Sequence, residues 1–297
     1  MKTYHNIVLL LAVLTLSACG VVRNSNSHTP IRRMGEAEMF AGNPQAQALA
    51  EAAVKGNIKE IDRLIDAGAD PNAVGLYGMT VPGWLLYHPN KAGFRRLLER
   101  GADPNKIWYN ETSPQTSLLH EATYMSPTFG TDYLKMCLEV GKGNPNLLPP
   151  DKHYRPINLA VNAMCHDAFI ILYNAGADLD FHSDTAIGRY TLVQAAAQSG
   201  NFELTYFLLQ RGADYTYVGK TGIRSLKDVF DYNFKYTGKS ATDSRDPQYM
   251  WFWRCVDFLE KRGMTFNIMS AKDKDYAVRP AVLDTTPVDY LRKAHQP

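Results

Sequence analysis

Three stretches of this 297-residue chain bring together side chains able to do chemistry. His120-Glu121-Ala122-Thr123-Tyr124 opens as a zinc-binding helix does, but Tyr124 stands where a second histidine must share the metal from the same helix face. Cys165-His166-Asp167 offers three ligand types in succession, yet consecutive helical residues point in different directions and cannot converge on one ion unaided. Gly141-Lys142-Gly143-Asn144-Pro145-Asn146 has the look of a phosphate loop but lacks the spacing of glycines and lysine that wraps a phosphate. No Gly-x-Ser-x-Gly elbow occurs, and the carboxylates are scattered rather than paired for acid-base work. The expectation is a non-enzymatic protein with no metal and no cofactor.

The elements that would position any site are short helices written to one pattern. Gly200-Asn201-Phe202-Glu203-Leu204 leads into Leu208-Leu209-Gln210-Arg211-Gly212-Ala213-Asp214, an amphipathic helix with an entering turn and a closing glycine suited to positive φ. The same sentence runs from Gly56-Asn57-Ile58 to Gly68-Ala69-Asp70-Pro71-Asn72, and again from Phe94 to Gly101-Ala102-Asp103-Pro104-Asn105. Asp70 and Asp103 are 33 residues apart, a period that indicates stacked repeats rather than one closed core.

On these residues the chain resembles the ankyrin repeat family over residues 43–266. Ser117-Leu118-Leu119-His120-Glu121-Ala122, Arg155-Pro156-Ile157-Asn158-Leu159-Ala160 and Thr191-Leu192-Val193-Gln194-Ala195-Ala196-Ala197 match its first-helix pattern. The closers at Gly68, Gly101, Gly176 and Gly212 match its Gly-Ala-Asp ending. The resemblance implies an all-α ankyrin-repeat solenoid of about six repeats, helix-turn-helix units with β-turn fingers, some of them degenerate. It also explains His120 as a helix-start histidine bonded to neighbouring backbone, and makes the 141–146 stretch a repeat-closing turn.

Departures from the period mark insertions, which in stacked repeats map to loops. Extra residues fall around Trp108 to Pro114, Ser126 to Thr131, His182 to Gly188 and Lys235 to Pro247, and all four are candidate contact loops. Trp251-Phe252-Trp253 is expected to pack the terminal repeat. Residues 267–297 lose the period, although Thr286-Pro287-Val288-Asp289-Tyr290-Leu291 could start a helix, and are read as a degenerate cap and tail.

Residues 1–18 carry Lys2 and an apolar run from Ile7 to Leu16, a secretory signal too short to span a bilayer as a mature helix. Leu16-Ser17-Ala18-Cys19 resembles the signal of bacterial lipoproteins, which implies cleavage before Cys19 and acylation of its thiol with chains such as palmitate. By the same resemblance Gly20 after the cysteine implies the outer membrane, on its periplasmic face. Residues 19–42 are expected to be the acylated cysteine and a solvated tether without fixed structure. Cys137, Cys165 and Cys255 then remain in an oxidising compartment; a Cys137 to Cys165 bridge is open, but three buried small hydrophobes is the preferred reading.

The formal charge of +2, from 32 basic and 30 acidic residues, is too balanced for nucleic acid. A protein partner is expected instead, met by a monomer. In ankyrin repeats partners meet the finger tips and the exposed side of the first helices. Carried over by register, those places hold Tyr77, Met79, Tyr87, His88, Trp108, Tyr109, Tyr124, Met125, Lys152, Tyr154, Asn162, Tyr190 and Gln198. The function this implies is a lipid-anchored periplasmic binding module. Its most concrete form is an immunity protein against an antibacterial effector such as a secreted phospholipase, delivered by a contact-dependent (type VI) secretion system. The alternative is a scaffold or chaperone for an endogenous envelope enzyme, and an envelope hydrolase comes last.

Overall fold

A computed structural model describes residues 29–110, 113–150, 154–181, 191–219, 225–237, 239–267, 279–280 and 283. The chain divides into two compact units, the first ending at Asn144 and the second beginning at Pro145. The sequence expectations for residues 1–28, including Cys19, and those for the 182–190 finger lie outside the described residues, as does nearly all of the tail.

Unit 1 begins earlier than its composition suggests. Helices α1 (Thr29–Arg33) and α2 (Glu36–Met39) form inside the stretch expected to be an unstructured tether. Met39 and Phe40 are 0% and 1% exposed, and Gln47 Nε2 donates to the Ala37 and Phe40 carbonyls. Two adjacent apolar side chains buried on the first repeat fix what the surrounding Asn, Ser and charged residues would leave loose.

Three helix pairs follow: α3 (Pro44–Val54) with α4 (Ile58–Asp66), α5 (Val81–Trp84) with α6 (Lys91–Glu99), and α7 (Leu118–Phe129) with α8 (Asp132–Glu139). Short polar side chains start most of them: Asn43, Asn57, Thr80, Asn90 and Ser117 each accept a hydrogen bond from a backbone N–H of the first turn. Pro44 and Pro82 sit in first turns, where no N–H is missed. The close approach of α3 and α6 requires Gly93, since a Cβ there would run into the Ala53 carbonyl. Between helices, Val74 bridges Thr80, and β1 (Trp108–Asn110) pairs antiparallel with β2 (Ser113–Thr116). Where a contact loop was expected at 126–131, α7 instead runs on through Pro127 to Phe129 and stops at Gly130, φ 77°.

Unit 2 repeats the plan with α9 (Pro156–Asn162) and α10 (His166–Asn174), α11 (Leu192–Gln198) and α12 (Phe202–Gln210), then α13 (Leu226–Tyr232), α14 (Lys239–Thr242) and α15 (Tyr249–Glu260). Thr191 with Gln194 and Ser225 with Asp228 form reciprocal capping boxes. The core near α15 is aromatic: Phe252 lies 4.9 Å from Phe202, 5.2 Å from Phe230 and 5.1 Å from Phe234, ring centre to ring centre. Phe252 and Trp253 are buried, the terminal packing expected of them. The 235–247 insertion, expected to be a contact loop, joins that core in part: Ala241 is buried and its carbonyl accepts from Trp253 Nε1 at 3.2 Å.

The closing glycines Gly68, Gly101, Gly176, Gly212 and Gly263 all take positive φ, between 82° and 97°. Lys142 does the same job in the third repeat at φ 58°, its Nζ donating to the Glu139 carbonyl. In three of these turns an asparagine, two places after Asp70, Asp103 or Asn144, then reaches the next repeat. Asn72 Nδ2 donates to the Gly101 carbonyl and its Oδ1 accepts from Asp103 N. Asn105 does so with Lys142 and Asn144, and in unit 2 Asn146 does so with Gly176 and Asp178. Asp180 accepts from Asp214 N at 2.8 Å. This ladder ties each of the first four closing turns to its successor.

Candidate partner-binding faces

The residues that could do chemistry are placed in the fold rather than in a cleft. Ser117 Oγ and His120 Nδ1 lie 2.9 Å apart, a spacing that would suit a nucleophile and its base. Ser117 is 0% exposed and His120 1%, however, and the serine hydroxyl also accepts from the His120 backbone N–H as a helix cap. No substrate reaches this pair. Cys137, Cys165 and Cys255 are free thiols; burial pushes all three above the ordinary thiol range, away from reactivity. Among the described residues no group of histidine, cysteine, aspartate or glutamate side chains could hold a metal ion. None of the described helices is long and apolar enough to cross a membrane.

In unit 1 the first-helix face is partly covered by the chain itself. Glu36 Oε1 accepts from Trp84 Nε1 at 3.2 Å, Phe40 meets the Trp84 ring edge-on at 6.4 Å, and the His88 ring lies against it at 3.9 Å. Arg32 stands 5.6 Å over the Phe129 ring. Tyr87, His88 and Tyr124 are half-buried rather than open. Burial raises the Tyr87 hydroxyl well above its usual range, with Glu121 adding to it. Burial lowers the His88 imidazole below its usual value, against the pull of Glu36.

The first finger of this unit projects a small apolar tip. Val74, Leu76 and Tyr77 are 45%, 44% and 47% exposed, and Tyr77 sits at φ 55°, unusual for a tyrosine. The base of the finger is wedged. Gly75 rests against the Met39 carbonyl and the Phe40 ring, and Gly78 rests against the Trp108 ring.

Three residues expected on the binding face lie inside instead. Met79 is 7% exposed and Trp108 8%, because Trp108 closes over Gly78 and the two fingers pack on each other. Met125 is 6% exposed, since α7 continues past it and the repeat register no longer places it at a helix end. The Tyr109 side chain, Lys152 and Tyr190 lie outside the described residues. In unit 2, Asn162 and Gln198 are exposed and Tyr154 is half-buried. Register missed Leu76, Met164 and Val218; the last two are 59% and 63% exposed, and Met164 holds φ 50° just after α9.

Helix pairs closed by positive-φ glycines, with a finger before each of several pairs, define a helical-repeat protein. No protein-family model matches the sequence, and no curated protein matches it. Among solved structures, the ankyrin repeat domain of Bcl-3, described as a unique member of the IkappaB protein family, is similar with a TM-score of 0.50 at 18% identity. The match covers 74% of this chain and 99% of that chain. The likeness is one of fold, and the fold of this chain is the all-α ankyrin repeat.

Proposed function

We propose that this protein is a non-enzymatic, lipid-anchored protein-binding module of the bacterial cell envelope, acting as an immunity protein. It neutralises an antibacterial effector, such as a phospholipase delivered by a contact-dependent secretion system, on the periplasmic face of the outer membrane. The observation that carries this reading is the pairing of an acylation box, Leu16-Ser17-Ala18-Cys19, with exposed groups in each unit, Leu76 and Tyr77 in the first and Asn162 and Gln198 in the second. Two or more acyl chains on Cys19 make anchoring stable. Anchoring in turn raises the inhibitor's effective concentration at the membrane the effector attacks.

The experiment is a survival assay of a deletion strain grown beside its effector-bearing siblings. Killing of the deletion strain, rescued by the full chain and rescued poorly by Cys19→Ala, supports the reading; survival of the deletion strain rejects immunity. In that second case an endogenous envelope enzyme that co-purifies with the chain, and loses activity in the deletion strain, establishes the scaffold role. Purified protein is expected to turn over neither lipid nor glycan.

A further inference from the structure

The second helices of the two units treat one position of the repeat in opposite ways. The residue before the closing glycine is arginine in three repeats: Arg100, Arg211 and Arg262. In unit 1, Arg100 donates to Asp62 at 2.9 Å and also to Asp66, while Arg96 holds the same Asp62 through two hydrogen bonds of 2.7 and 2.8 Å. Asp62 and Asp66 stand six and two places before Gly68. In unit 2 the same two places hold Ile170 and Asn174 before Gly176, then Tyr206 and Gln210 before Gly212. Every carboxylate that would answer the arginine is gone.

Arg211 and Arg262 instead fold back on rings of their own helices. The Arg211 guanidinium lies 4.6 Å from the Phe207 centroid, with its Nε donating to the Tyr173 hydroxyl at 3.3 Å. Arg262 lies 3.5 Å from the Phe258 centroid, and its Nη1 donates to the Phe258 carbonyl. Both side chains are exposed, and neither makes an ion pair among the described residues. The acids of α15 nearest Arg262 in sequence, Asp257 and Glu260, are paired with Lys261 and Arg279. Around them, Tyr173, Tyr206, Trp251 and Phe258 are half-buried, with Arg254 held between Tyr206 and Trp251.

We infer that this second-helix face of unit 2 docks an acidic segment of a partner protein, carboxylates on Arg211 and Arg262 and apolar side chains on Tyr206 and Trp251. It is a surface separate from the finger and first-helix faces and does not depend on the immunity reading. Three features favour an acidic protein. A guanidinium presents a planar fork that matches a carboxylate with two parallel hydrogen bonds, and the ring beneath keeps that fork oriented. Arginine, tyrosine and tryptophan are the residues enriched at interface centres, where lysine is depleted. Anionic lipid surfaces are held by clusters of about four to eight basic residues, and two arginines fall short of that.

The test uses the full chain with two probes: a fluorescently labelled peptide rich in glutamate and aspartate, and vesicles of phosphatidylcholine with phosphatidylglycerol. Wild type binds the peptide in a salt-sensitive manner. Arg211→Ala with Arg262→Ala weakens that binding about tenfold or more. Arg211→Lys with Arg262→Lys restores little of it, because an ammonium lacks the fork. Thermal midpoints of both double variants fall by only a few degrees, since what is lost is a pair of exposed ring contacts and their hydrogen bonds. Three results overturn the inference: peptide binding that the alanine pair leaves intact, vesicle binding lost in the variants without any peptide binding, or a large fall in thermal midpoint, which would make the arginines part of the fold.

Discussion

The first-helix faces of the two units differ in what lies over them. In unit 1, Glu36 and Phe40 sit on Trp84 and Arg32 on Phe129, so that the face is partly covered by the protein's own N-terminal helices. In unit 2, Asn162 and Gln198 are exposed at the corresponding places, with Met164 beside the first of them in sequence. Repeat register is the same in both, so it is a neighbouring segment, and not the repeat itself, that decides which positions remain open. Unit 1 then offers its apolar finger tip, Val74, Leu76 and Tyr77, in place of a bare face.

The largest test of this contrast is Trp84→Ala. Trp84 is 0% exposed and carries the contacts of Phe40, Glu36 and His88, so its truncation is expected to cost about 3–5 kcal/mol, read by urea unfolding. Asn162→Ala in unit 2 should stay within about 0.5 kcal/mol of wild type by the same measurement. Equal losses would erase the distinction between the units.

Next comes Phe40→Ala, expected to cost about 3 kcal/mol and to speed amide exchange at the bonds around Trp84. Unchanged exchange there would mean that the N-terminal helices contribute nothing to closing that face.

A smaller effect follows from His88. Its pKa is lowered in the folded state, chiefly by burial, so the folded protein binds fewer protons than the unfolded chain. Stability is therefore full above the ordinary histidine value and declines as the pH falls below about 6.5. His88→Asn should flatten that part of the thermal-midpoint profile; a profile that keeps its slope would place the titration elsewhere.

The smallest concerns Asp62. Hydrogen bonds from Arg96, aided by Arg100, hold its carboxyl below the usual range, so its contribution is present at neutral pH and lost as the pH falls below about 4. Asp62→Asn should lower the thermal midpoint slightly at neutral pH, with the difference shrinking in high salt. A difference that salt leaves untouched would point to packing rather than charge.

Much of the fold was legible because the repeat writes its turns in residues with one conformational meaning. Closers such as Gly68 and Gly212 had to take positive φ, and they do; at the Gly-Asn entering turns the structure adds that Asn57 and Asn201 cap the helices that follow. Depth was not legible. Period places Met79, Trp108 and Met125 on a face, but Trp108 is buried by a contact with Gly78, 30 residues earlier in the chain, and Met125 by an extension of its helix. Composition likewise misjudged residues 29–40, where one apolar pair outweighs its polar surroundings. The loss of acids opposite Arg211 and Arg262 was visible in the sequence, at two and six places before the glycines, once the ion pairs of unit 1 showed which places matter.

The rungs that join successive closing turns are unequal in the hydrogen bonds they can make. Asn72, Asn105 and Asn146 both give and receive a hydrogen bond, whereas Asp180, a carboxylate, can only receive. Asp180→Asn, which adds a donor, should strengthen the joint between the turns at Asp180 and Asp214, read as a higher rupture force for that step.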